Sequence, residues 1–117
     1  MVDDPRLPAT ARGLIADPAN DIVTSAANIW EIAIKHALAR GSPNDMPVSA
    51  HKALDLFRAS GYEVLDIMPP HVLMLETLPP LHGDPFDRML VAQAMTDGMT
   101  LVSNERRFDA FGVRRLW

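Results

Sequence analysis

What most constrains this chain is an alternation. Segments whose apolar residues recur at helical spacing are separated by short β-prone runs. Strands divided by helices pair in parallel, because the intervening helix supplies the crossover that parallel pairing needs. Apolar spacing predicts a short helix from about Pro8 to Ala16, with Leu7, Ala11, Leu14 and Ile15 on its apolar side. Asp17-Pro18-Ala19-Asn20 breaks it, and Asp21-Ile22-Val23-Thr24 is the first β-prone run. Ser25 can cap a long helix to about Arg40, stopped by Gly41, in which Ile29, Trp30, Ala33, Ile34, Ala37 and Leu38 share helical spacing. A loop over Ser42 to Pro47 follows. Ser49 then opens a helix carrying Ala53, Leu54, Leu56 and Phe57, closed by Gly61. Tyr62 to Ile67 reads as a strand, and Pro69-Pro70 opens a helix to about Leu78.

After a loop from Pro79 to Gly83, the sequence Asp84-Pro85-Phe86-Asp87 is a strong helix start. Asp84 suits the N-cap, Pro85 the first helical position, and Asp87 the first turn, where its charge complements the dipole. That helix runs to about Asp97 and ends at Gly98. Met99 to Ser103 reads as a strand, Arg106 to Ala110 as a short helical stretch, and Val113 to Trp117 as a last strand. The expected architecture is a single α/β domain over residues 1–117, three layers deep, with a mainly parallel sheet. Such a domain usually opens with a strand, whereas this chain opens with a helix.

Composition removes several classes of chemistry. With no cysteine among 117 residues, disulfide scaffolds, thiolate zinc sites and cysteine nucleophiles are excluded, which fits a reducing cytoplasm. A net charge of −4 leaves no global basic field for nucleic acid, so any such contact needs a local patch or a metal. No apolar run is long enough for a bilayer, and the first residues lack the form of a signal peptide. There is no glycine-rich phosphate loop and no serine elbow. The histidines, His36, His51, His71 and His82, are too dispersed for a helical zinc pair, and each reads as a surface or partly buried residue. His82 stands out only for its place just before Asp84.

Carboxylates remain. Function in parallel α/β sheets gathers at the carboxyl ends of strands, and acids converging there need a cation among them. Glu31 lies two turns into the long helix, Asp84 and Asp87 start another helix, and Glu105 follows the Leu101-Val102-Ser103 strand. Taken singly, each has a structural explanation. Asp84 is a cap. Asp87 gains about 0.3–1 kcal/mol from the dipole. Glu31 can pair with Lys35 for about 0.2–0.5 kcal/mol. Glu105 can be a solvated loop residue. Arg106, Arg107, Arg114 and Arg115 form a basic end on an acidic chain, serving solubility or phosphate contact.

Together, however, these stretches carry a resemblance. Ser25-Ala26-Ala27-Asn28-Ile29-Trp30-Glu31-Ile32-Ala33-Ile34-Lys35 resembles the second acidic motif of PIN-domain proteins of the VapC toxin branch. His82 to Ala94, containing Gly83-Asp84-Pro85-Phe86-Asp87-Arg88, resembles the third motif. Gly98-Met99-Thr100-Leu101-Val102-Ser103-Asn104-Glu105, followed by Phe108, resembles the fourth. Order and separation match over nearly the whole chain. The resemblance implies an α/β/α PIN-like fold and an endoribonuclease hydrolysing RNA phosphodiesters with Mg²⁺ or Mn²⁺ at an acidic site. By position, Glu31, Asp87 and Glu105 become the catalytic metal ligands. Asp84, Ser103 and Asn104 become auxiliary, and Arg88, Arg106 and Arg107 are candidates for RNA phosphate contact. It also implies a cognate antitoxin protein as partner, a homodimer, and a cytoplasmic setting.

One departure stands out. The family opens with a central strand ending in an Asp ligand, and neither Asp3 nor Asp4 matches it. The expectation is a chain truncated at its N-terminus by roughly 15–20 residues, about one strand and one helix. The alternative reading is a catalytically inactive PIN-like module that binds a partner protein or RNA.

Overall fold

The computed structural model describes residues 8–39, 48–80 and 83–117. These group into two compact units, one formed by Ile22–Ile67 and the other by the described residues on either side of it. The expected helix stop at Gly41, the loop over 42–47, His82, Leu7, Asp3 and Asp4 lie outside the described residues.

Within Ile22–Ile67, strand β1 (Val23–Ser25) runs parallel to β2 (Glu63–Leu65), with Val23 opposite Glu63 and Ser25 opposite Leu65. Helices α2 (Ala26–Ala39) and α3 (Ala50–Ala59) lie in the crossover. The start of α2 follows from its cap, since Ser25 Oγ accepts the Ala27 N–H at 3.0 Å. Asn28 Nδ2 donates to Thr24 Oγ1 at 3.2 Å, tying the first turn back to the strand. Ser49 Oγ accepts the Lys52 N–H at 3.1 Å and starts α3 in the same way. Gly61, at φ +80°, turns the chain out of α3 in a left-handed conformation that a side chain would strain. The rings of Phe57 and Tyr62 then stack with centroids 6.2 Å apart.

The apolar spacing of α2 proves a poor guide to burial. Ile29 is half-buried, but Trp30, Ala33, Ile34, Ala37 and Leu38 are exposed, Leu38 at 73%. Leu56 on α3 is exposed as well.

The second unit is organised around α5 (Pro85–Asp97). It also contains α1 (Ala9–Ala16) and α4 (Pro69–Met74), the latter continued by a 3₁₀ turn over Leu75–Thr77. Strand β3 (Leu101–Val102) pairs in parallel with β4 (Arg115–Leu116), and a 3₁₀ helix over Arg106–Phe111 lies between them in sequence. The core joins Leu78, Val91, Ala92, Ala94, Phe108, Phe111 and Val113, with Met74, Leu75, Met99 and Leu101 packed against it. Fully burying one such large side chain stabilises by about 1.5–3 kcal/mol. Gly98, at φ +67°, ends α5, and the Met99 N–H closes on Ala94 O at 2.8 Å.

The chain is thus mixed α/β with parallel pairing, as its alternation predicts. The strands are shorter than the spacing suggests, and among the described residues they form two separate pairs rather than one sheet. The end of a β-prone run can serve another purpose. Ser103, for example, leaves the ladder after one hydrogen bond to Leu116 and its hydroxyl shapes the turn that follows.

Candidate functional site

Asp84 sets the geometry at the start of α5. Its Oδ1 accepts the N–H of Phe86 at 2.9 Å and of Asp87 at 3.1 Å, satisfying two of the amides that a helix start leaves unpaired. Pro85 removes a third donor from the account. This fixes Asp87 in the first turn, with its side chain only 16% exposed.

Glu105 is held from another direction. Ser103 Oγ accepts the Glu105 N–H at 3.1 Å, turning the chain so that Glu105 stands at the N-cap position of the following 3₁₀ helix. That helix is anchored by buried Phe108 and Phe111. Arg115 closes the segment from below. Its Nε and Nη2 reach Asp109 Oδ1 and Oδ2 at 2.8 and 3.1 Å, and its Nη1 donates to Ser103 O at 3.0 Å. The hydrogen bonds from Arg115 hold the Asp109 carboxyl below the usual aspartate value, and the same pairing raises Arg115.

The two acids meet at one atom. Arg107 Nη2 lies 2.8 Å from Asp87 Oδ2 and also pairs with Glu105 Oε2. The guanidinium carbon sits 5.8 Å from the centroid of the Phe108 ring, which steadies the arginine. A single cationic nitrogen therefore marks a point that both carboxylates reach. Hard carboxylate oxygens are the donors that Mg²⁺ and Mn²⁺ take, so the pair fits such an ion.

The other candidates differ in their partners. Glu31 belongs to the Ile22–Ile67 unit, where it pairs with Lys35 at 3.3 Å as the i,i+4 spacing predicts. Asn104 is exposed beside Glu105, and Arg106 is exposed beside Arg107. Among the described residues no group of three or more His, Asp or Glu gathers as a cation site. Arg88, a candidate for phosphate contact, instead donates to Pro79 O at 2.8 Å and lies over the Phe111 ring at 5.9 Å. Its guanidinium joins the loop before α5 to the core. Arg107, read as a phosphate contact, is engaged with the acids.

Sequence reading also missed His71. It is 2% exposed, accepts the Met68 N–H at Nδ1 (2.9 Å) and faces Asp97 Oδ2 through Nε2 (2.9 Å). With Nδ1 an acceptor, Nε2 carries the proton and donates to Asp97. The bond joins the start of α4 to the end of α5, where a carboxylate is otherwise disfavoured by the dipole. Its only sequence signal is a histidine three residues after Met68, at a helix start where a side-chain acceptor is useful.

The chain is an α/β protein with parallel strand pairs, in which Asp87 at a helix start and Glu105 meet on one arginine. The sequence pattern of the PIN domain matches residues 1–113, and the chain belongs to the PIN domain family. PIN domains are generally nucleases and generally use divalent metal ions. No curated protein matches the chain. Among the described residues no helix is long and apolar enough to cross a membrane.

Proposed function

We propose that this chain is a VapC-type toxin, a metal-dependent endoribonuclease of a toxin–antitoxin pair. The observation that carries the reading is the convergence of Asp87 and Glu105, from two separate elements, on one cationic nitrogen. Two carboxylates held this close repel unless a cation lies between them. Asp87 and Glu105 would hold Mg²⁺ or Mn²⁺. When bound, the ion supplies an oriented water and stabilises charge on the scissile phosphate.

The chain's own residues divide the remaining work. Asp84 holds the first turn of α5, and with it Asp87, in a fixed place. Ser103 does the same for Glu105, and Asn104 lies beside it as a further polar group. Arg106, exposed next to the acids, is suited to an RNA phosphate. An antitoxin partner, homodimerisation and a cytoplasmic setting belong to the same reading. The exposed apolar residues of α2, among them Trp30, Ile34 and Leu38, supply surface suited to protein contact.

The deciding experiment is cleavage of a labelled single-stranded RNA by purified protein with Mn²⁺, for wild type and Asp87→Asn. The amide keeps the shape and removes the charge. Since even supporting residues around a metal cost about 10–100-fold, loss of a direct ligand should cost more than ~100-fold. The circular dichroism spectrum should not change. Equal cleavage by both proteins overturns the assignment of Asp87. Absence of metal-dependent cleavage in a folded wild-type chain favours the inactive binding module instead.

A further inference from the structure

We propose that Arg107 is a resident counter-cation that a divalent ion must displace, so that metal binding to this chain is an exchange rather than a simple addition. The inference rests on the reading of Asp87 and Glu105 as the residues that hold the ion. Its own support is that Arg107 Nη2 bonds Asp87 Oδ2 at 2.8 Å while also pairing with Glu105 Oε2. The nitrogen thus takes an oxygen from each acid and lies where an ion bound to both would have to lie. A nitrogen and a metal ion cannot both occupy that point.

The arrangement has a benefit and a cost. Without a cation, Asp87 and Glu105 would repel, and the turn carrying Glu105, whose side chain is 47% exposed, could swing away. Arg107 neutralises the pair and keeps the acids together. It is itself steadied by the ring of Phe108, which is 4% exposed. Yet each carboxylate committed to the guanidinium must be released before it can bind a metal. Arg107 also places a positive charge against the arriving ion. The guanidinium, half exposed, has open solvent to move into.

The test is a calorimetric titration of Mn²⁺ into the full chain, for wild type, Arg107→Gln, Arg106→Gln and Asp87→Asn. Removing the competitor should tighten Mn²⁺ binding by about three- to fivefold, the upper end of the scale of one exposed ion pair. Arg106→Gln removes an equal charge one residue away and should shift affinity by less than about twofold, because an exposed charge acts on the site through water of high dielectric. Arg107→Lys keeps the charge without the planar fork and should fall between wild type and Arg107→Gln.

Unchanged or weaker Mn²⁺ binding by Arg107→Gln, with Asp87→Asn still abolishing it, overturns the exchange and leaves the metal assignment standing. An Arg106→Gln effect as large as that of Arg107→Gln overturns it too, since a general field would then be the cause. If neither wild type nor Arg107→Gln binds Mn²⁺, the metal assignment itself fails and the exchange falls with it. Should Arg107→Gln not fold, the Arg107→Lys titration decides the matter, with wild-type affinity overturning the proposal.

Discussion

Helices α5 and α2 are nearly equal in length, at 13 and 14 residues, and each starts from a side-chain cap. Each also carries a candidate acid, Asp87 in α5 and Glu31 in α2. They differ in what surrounds them. Met89, Val91, Ala92, Gln93 and Ala94 of α5 are buried, whereas among the described side chains of α2 only Ala27 is. The apolar spacing of α2 is nevertheless the more regular of the two. Periodicity records the face that a helix is able to bury. Burial itself depends on whether another element arrives to cover that face.

Truncating one residue on each helix gives the largest expected contrast. Met89→Ala should destabilise by about 2–5 kcal/mol, as a buried methionine loses its contacts and leaves a cavity. Leu38→Ala, at an exposed position, should change stability by less than about 0.5 kcal/mol. Urea unfolding of both variants checks this, and equal losses would show that the α2 face is covered in solution.

A smaller effect comes from the caps. Asp84→Ala and Ser25→Ala should each cost about 1 kcal/mol in the same measurement. Only the first should also weaken Mn²⁺ binding, because only Asp84 fixes the turn that carries Asp87. A matching loss of Mn²⁺ affinity in Ser25→Ala would break the distinction.

The smallest effect is one of pH, confined to the unit that contains α5. Asp109 is held below its ordinary value by Arg115, so the folded protein binds this proton less readily than the unfolded chain. Its contribution to stability is therefore present above the unfolded aspartate value and lost as pH falls through that value toward the lower folded one. Melting temperatures of wild type and Asp109→Asn should differ near neutrality and converge in acid. A constant difference across that range would sever Asp109 from the acid sensitivity of the fold.

Local rules were legible in the sequence. Ser25, Ser49 and Asp84 cap the helices expected of them, and Gly61 and Gly98 turn the chain out of α3 and α5, because a cap needs only residues within three or four positions of it. Asp87 and Glu105 were singled out through their places in motifs, and the structure brings both to Arg107. Pairings across many residues were not. Arg107 with Asp87, Arg88 with Pro79, and His71 with Asp97 all depend on how elements pack, and a side chain's type and spacing do not specify a distant partner. The strands came out short for a related reason. β-propensity marks residues that fit a sheet, while ladder length is set by the partner strand.

Arg115 gives the segment from Ser103 to itself the character of a closed ring. Two ladder hydrogen bonds, Leu101 N–H to Arg114 O and Ser103 N–H to Leu116 O, bring its ends together, and the guanidinium adds the bond to Ser103 O. Closing a flexible loop of about a dozen residues costs on the order of 2 kcal/mol in chain entropy. Here folding meets that cost before any ligand arrives. Glu105 and Arg107 both ride on the ring, so neither has to be recruited from a disordered ensemble, and an arriving cation has only to exchange partners among groups already gathered. The same closure makes the geometry around Glu105 hostage to the last strand: fraying at Arg115–Leu116 would reopen the ring and return to the binding step the entropy that folding had removed.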